Sequence, residues 1–96
     1  MPAYVIADVR EVRDQDALVE YRRRNTDAVA AHGGRFIVRG GVLELLEGEW
    51  DTRRIIVIEF PDMESARGWY ASDDYAPLKT LRQSASDTNI ILVDGA

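Results

Sequence analysis

The chain opens on an alternation of apolar and polar positions. Between residues 4 and 9, Tyr4, Ile6 and Asp8 fall on one side and Val5, Ala7 and Val9 on the other, the period of a β-strand. Asp14 then precedes a stretch free of Gly and Pro, Asp16 sits in its first turn and Gly33-Gly34 closes it, which predicts a helix over about residues 15–32. Its apolar arc holds Ala17, Leu18, Tyr21, Ala28 and Val29, wide enough to lie on a sheet, and Asn25 and His32 fall inside that arc. Residues 35–47 read as one long second strand, with Gly40-Gly41 marking a bulge or sharp bend. Residues 48–51 supply the turn of a short hairpin into a third strand, 53–60. Pro61 ends that strand and Asp62 can cap a short helix over about 63–71, in which Met63, Ala66 and Tyr70 share a face. After the break at Ser72-Asp73-Asp74, residues 75–85 form a further helical piece with Leu78, Leu81, Arg82 and Ala85 aligned, and residues 88–94 a fourth strand.

The order β-α-β-β-α-β is the ferredoxin-like plan, an α+β fold with a four-stranded antiparallel sheet and its helices on one face. The open face of such a sheet is ordinarily polar. Here Ile55-Ile56-Val57-Ile58 and Ile90-Ile91-Leu92-Val93 make both faces apolar, a patch larger than a monomer usually exposes. A second copy packed face to face covers it, so the expected assembly is a homodimer, a dimeric α+β barrel with two-fold symmetry.

Composition narrows the picture further. The 96 residues make a single domain spanning 1–96, and 46% apolar with 30% charged residues suits a folded, soluble chain. The absence of cysteine excludes disulfides and thiolate metal sites. No stretch approaches the roughly 20 apolar residues needed to cross a bilayer, and no secretory leader is visible, so a cytoplasmic protein is expected. A net charge of −5 argues against nucleic acid or an anionic membrane as partner. Arg22-Arg23-Arg24 fans across its helix instead of forming a stripe, as a solvated helix face does. Neither Gly33-Gly34 nor Gly40-Gly41 completes a phosphate-binding fingerprint, so no nucleotide cofactor is expected.

Gly33-Gly34-Arg35-Phe36, Arg39-Gly40-Gly41, Leu46-Glu47-Gly48-Glu49-Trp50, Arg54, Glu59-Phe60-Pro61, Trp69-Tyr70-Ala71-Ser72 and Tyr75 follow one another along nearly the whole chain. In that order they resemble the bacterial family known as domain of unknown function 1330. The resemblance implies a ferredoxin-like fold in the dimeric α+β barrel superfamily, whose relatives include small oxygenases, dismutase-like haem proteins, isomerases and lyases. The family itself brings no established reaction. Thr26 departs from it, standing where a proline is expected late in the first helix.

Several residues are candidates for chemistry, each beside a plainer reading. His32, the single histidine, suits a general base or an axial haem ligand, and equally a helix C-terminal residue that favours the dipole. One histidine excludes a multi-histidine metal site within the chain, and no metal is expected. Arg39, Glu47 and Glu59 are charges set in or beside apolar runs. Arg39 or Arg54 pairs with Glu47 or Glu59 across strands, or an arginine holds a substrate carboxylate or enolate while Glu59 moves a proton. Asp8 is a similar candidate if its face lines the barrel. Trp50, Trp69, Tyr70 and Tyr75 are core aromatics or a cleft wall, with a tyrosine hydroxyl for an oxyanion. Ser72 reads as a helix N-cap and, without a neighbouring histidine and acid, not as a nucleophile.

The leading reading is a dimer binding a small acidic or aromatic organic molecule, with cofactor-free proton-transfer chemistry of isomerase, lyase or oxygenase type. It needs a cleft that holds Arg39 with Glu59, His32 or Tyr75. The alternatives are a non-catalytic dimeric binding or structural module, and a haem-binding protein with His32 as ligand.

Overall fold

A computed structural model describes all residues, 1–96. The elements run β1 (Ala3–Val12), α1 (Gln15–Ala31), β2 (Arg35–Arg39), β3 (Arg54–Phe60), α2 (Met63–Tyr70), α3 (Ala76–Ala85) and β4 (Ser86–Asp94). The strands form one antiparallel sheet in the order β2-β3-β1-β4, the ferredoxin-like arrangement. With a least extent of 17 Å the molecule is two layers thick, sheet and helices.

The helix ends follow from local chemistry. Asp14 Oδ1 accepts the Ala17 amide at 3.0 Å and Asp62 Oδ1 that of Ser65 at 2.7 Å, each satisfying a donor left free in a first turn. At the end of α1, Gly33 turns with φ +79° while its amide and that of Gly34 bond back to Ala30 and Val29. A side chain at Gly34 would strike Phe60 and Val29, so that glycine lets the turn lie against the core. Ser72 does not cap the next helix as expected; its Oγ accepts the Tyr75 amide at 3.1 Å and donates to the Trp69 carbonyl at 2.8 Å, tightening the turn between α2 and α3.

Register sorts the strands into two faces. Rows Phe60–Ala3–Asp94, Ile58–Val5–Leu92, Ile56–Ala7–Ile90 and Arg54–Val9–Thr88 point toward the helices. Tyr4, Ile6, Asp8, Ile55, Val57, Glu59, Ile91 and Val93 point the other way. The core lies on the helix side, where Phe60, Trp69, Tyr75 and Val29 are sealed from solvent.

The second strand corrects the sequence reading. It ends at Arg39 instead of running to residue 47, its irregularity falls between Phe36 and Val38, and the hairpin to β3 is not short but spans residues 40–53. Two features stop the strand. Gly40 adopts φ +68°, and a side chain there would collide with the Arg54 guanidinium. Beyond it, residues 50–52 are drawn onto Asp8 by Thr52 Oγ1 at 2.6 Å and Trp50 Nε1 at 3.2 Å, so β3 offers no continuation for Val42 to Glu47 to pair with.

Candidate functional site

Ala7 lies at the middle of the helix-facing surface, between Ile56 and Ile90, and its short side chain leaves the helices standing clear of the sheet. A cavity of about 200 Å³ results. Leu18, Tyr21 and Asn25 of α1 reach it from above, Trp69 of α2 and Arg82 of α3 from the side, and the exposed Val12 and Gln15 stand where it meets solvent. The helix periodicity puts these polar groups inward. Tyr21 and Asn25 are one turn apart on α1, and Arg82 falls between Leu78 and Ala85 on the buried side of α3.

The polar groups form one chain of hydrogen bonds whose direction at both ends follows from donor and acceptor counts. The Trp69 indole can only donate, and it lies 3.1 Å from Asn25 Oδ1, so the Asn25 amide nitrogen faces Tyr21 Oη, 3.3 Å away. Arg82 Nε likewise only donates, and its acceptor is Tyr75 Oη at 3.3 Å. Tyr75 Oη and Tyr21 Oη lie 2.8 Å apart, and either hydroxyl can donate to the other, since each keeps a lone pair beside the donor it already accepts. The bond between the two hydroxyls uses one of their two protons, and an acceptor placed in the cavity beside Tyr21 can take the Tyr21 proton when Tyr75 is the donor of the pair. Burial, reinforced by Tyr75, pushes the Tyr21 hydroxyl well above the ordinary tyrosine range, so it stays protonated. Burial disfavours the charged form of Arg82, yet the contact with Tyr75 outweighs it, and no carboxylate pairs with this guanidinium.

What the cavity can do follows from what lines it. Amides, hydroxyls, one indole and the guanidinium groups of Arg22, Arg54 and Arg82 are present; no carboxylate and no imidazole is. Such a lining is suited to an oxyanion and contains no carboxylate or imidazole to serve as general base.

Of the residues singled out in the sequence, the structure brings Trp69 and Tyr75 together, their ring centroids 4.2 Å apart, Trp69 lining the cavity and Tyr75 behind Tyr21. Tyr70 turns outward from α2, its ring beneath the Lys79 ammonium at 4.2 Å; the inward residue of that helix is Trp69. Arg39 lies at the β2 edge, its guanidinium 4.0 Å above the Phe36 ring and 3.2 Å from Thr26 Oγ1. Glu59 is on the opposite face of the sheet, bonded to Arg35 at 3.0 Å. Arg39 and Glu59 therefore do not meet, because one residue's shift along a strand reverses the side a residue faces. Neither Arg39 nor Arg54 pairs with Glu47 or Glu59. Trp50 and Asp8 also belong to the opposite face, and His32 caps α1 beside Gly68, outside the cavity lining. Tyr21, Asn25 and Arg82 are site residues that the sequence reading did not select. Their signal was there: polar side chains at helical spacing inside arcs otherwise apolar.

The chain belongs to the family described as domain of unknown function 1330, whose model matches residues 2–96. No curated protein matches it in sequence. Among solved structures it is similar to a protein of unknown function from Rhodopseudomonas palustris, with a TM-score of 0.80 at 19% identity over 99% of this chain and 82% of that one. A dimeric ferredoxin-like protein of unknown function from Jannaschia is similar with a TM-score of 0.72 at 13% identity, covering 100% of this chain and 99% of that one. SnoaB, a cofactor-independent oxygenase from Streptomyces nogalater, is similar with a TM-score of 0.63 at 15% identity, covering 99% and 93%. At these identities the likeness establishes the fold, and function has to be argued from the site.

Proposed function

We propose that this protein is a homodimer in which each protomer binds a small acidic or aromatic organic molecule as its anion, in the cavity between sheet and helices. The observation that carries the reading is the lining itself: the Arg82 guanidinium and the Tyr21 hydroxyl, which can give its proton to a ligand when Tyr75 donates to it, meet in a cavity that contains no carboxylate. An apolar cavity of about 150 Å³ takes up benzene, so about 200 Å³ suits one ring with substituents. A phenol or enol entering it meets guanidinium and hydroxyl donors and no carboxylate, and is stabilised as the anion once its own proton has gone to solvent. The chemistry is then cofactor-free, with the held enolate or phenolate as the reactive species. The fold is shared with SnoaB, described as a cofactor-independent oxygenase, which is one outcome open to such an anion. Assembly is proposed through the uncovered face of the sheet, and the Jannaschia protein of this fold is described as dimeric. A haem reading finds no support: His32 is outside the cavity, whose volume is below the roughly 300 Å³ at which pockets for drug-sized ligands begin.

The test is a spectroscopic titration of 4-nitrophenol, whose ionised form absorbs visibly. Bound probe is expected to ionise about one pH unit or more below free probe, a preference of about 1.4 kcal/mol for the anion. Tyr21→Phe and Arg82→Met each shrink that shift. A bound probe whose ionisation is unchanged or raised, or no binding at millimolar concentration, refutes the proposal.

A further inference from the structure

Arg54 Nε is the one buried side-chain nitrogen or oxygen in the molecule without a hydrogen-bond partner. A buried, charged donor left unmade is costly enough that most native structures avoid it, so its presence asks for an explanation. Its position is not accidental. Gly40, the residue whose φ of +68° ends β2, lies directly against this guanidinium, and any side chain there would displace it.

Arg54 is also not alone. It and Arg22 line the cavity, and both line a second pocket of about 290 Å³ that continues from it toward the β2 edge, where Arg39 stands. Arg23, the remaining arginine there, is paired with Glu20 at 2.7 Å; Arg22, Arg39 and Arg54 have no carboxylate partner. Three unneutralised guanidinium groups gather at one place on a chain whose net charge is −5. Like charges so arranged repel one another unless an anion joins them.

The position of this group relative to the first donor pair sets a length. Arg54 is on β3 and Thr88 on β4, in one row across the sheet with Val9 of β1 between them. Two strand spacings separate them, about 10 Å at the backbone. Arg82 stands on the β4 side, because α3 runs directly into β4 and the Arg82 carbonyl accepts from Ser86 Oγ at 3.3 Å. The cavity therefore has cationic donors on two opposite walls and an apolar floor between them, with room for a ring.

We propose that the natural ligand is doubly anionic in this sense: a hydroxylated aromatic or enolic monocarboxylate, its carboxylate held by Arg54 and Arg22 on the β3 side and its enolate or phenolate oxygen by Tyr21 and Arg82 on the β4 side. The proposal rests on the oxyanion reading given above and adds the second pole. A carboxylate matches the fork of a guanidinium with two parallel hydrogen bonds, and it would give Arg54 Nε the acceptor it lacks.

Isothermal titration of the whole protein with phenol, benzoate, 4-hydroxybenzoate and phenyl phosphate tests it. The expected result is 4-hydroxybenzoate binding at least about tenfold tighter than phenol and tighter than benzoate. Arg54→Met brings it down to the affinity of phenol, and Arg54→Lys, which keeps the charge and loses the fork, recovers only part. The ligand series on the unaltered protein decides the matter even if an Arg54 variant folds poorly. If 4-nitrophenol shows its lowered ionisation while 4-hydroxybenzoate binds no tighter than phenol, the second pole is wrong and the oxyanion site stands. If 4-nitrophenol fails as well, both fall. Tighter binding of phenyl phosphate than of 4-hydroxybenzoate overturns the assignment of a carboxylate.

Discussion

On the helix-covered side of β1, Val5 and Ala7 are buried beneath α1 and α2, whereas on the other side of the same strand Tyr4 and Ile6 stay half-covered, and Ile91 and Val93 of the neighbouring strand are 55% and 42% exposed. Both faces are apolar, yet only one is completed within the chain. Their polar groups differ in kind as well. The covered face carries neutral donors and acceptors, with arginines, threaded into one network around a cavity. The uncovered face carries carboxylates already satisfied at close range, Glu59 by Arg35 and Asp8 by Thr52, Trp50 and Arg10. A surface whose charges are paired and whose remaining side chains are apolar is suited to meeting another apolar surface; a cavity lined by guanidinium and hydroxyl groups without a carboxylate is suited to an anionic ligand.

That contrast is broken most strongly at Trp69. Truncation to alanine removes a fully buried ring and leaves Asn25 Oδ1 without its donor, so Trp69→Ala is expected to lower stability by about 3–5 kcal/mol. Urea unfolding measures this, and a loss below about 1 kcal/mol would mean that the covered face is not the core.

An equally severe change of chemistry on the other face has a different target. Ile91→Asp is expected to alter the protomer's own stability by less than about 1 kcal/mol, since the side chain is already half in water. By placing two carboxylates in the proposed interface, one from each copy, it should weaken self-association by about a hundredfold or more. Sedimentation velocity of the wild type and the variant reads it, and a wild-type chain that is monomeric at micromolar concentration removes the dimer altogether.

The smallest effect sharpens the comparison without a mutation, because each face holds one tryptophan. Burial works against the ionised form of Asp8, but hydrogen bonds from Thr52, Trp50 and Arg10 outweigh it and hold the carboxyl below its ordinary value of 3.8. A group depressed in this way contributes stability above its unfolded pKa and loses it as the pH falls through the lower folded value. On acidification below about pH 4, the indole N–H resonance of Trp50 should therefore move, while that of Trp69, bonded to an amide in a network with no group titrating in that range, stays in place. Two resonances moving together would show that the faces are not independent.

Much of this architecture was legible in the residues themselves. The alternation from Tyr4 to Val9 assigned each side chain to its face, Asp14 and Gly33-Gly34 bracketed α1 to within a residue, and the apolar runs in β3 and β4 marked a sheet with two apolar faces. Residues 40–53 misled because their pattern also suits a strand, and the pattern does not reveal that Asp8, far away in the chain, draws Trp50 and Thr52 off the line of β3. The site was half legible. Trp69 and Tyr75 stood out as aromatics, but Arg39, Glu59 and His32 drew attention as charged or titratable groups, and the chain of polar residues that meets the cavity passes through none of them.

Periodicity within one element is a local property, set by the fixed geometry of helix and strand, and so the sequence by itself determined which side chains of each element face inward, Tyr21, Asn25 and Arg82 among them. Which of those inward groups touch was decided only in the tertiary structure. Asn25 meets Trp69 across 44 positions and Tyr21 meets Tyr75 across 54, and such encounters depend on how three helices settle on one sheet around the space that Ala7 leaves open. The pairing of the two hydroxyls, and with it the donor that Tyr21 can offer inside the cavity, exists only once those partners are in place.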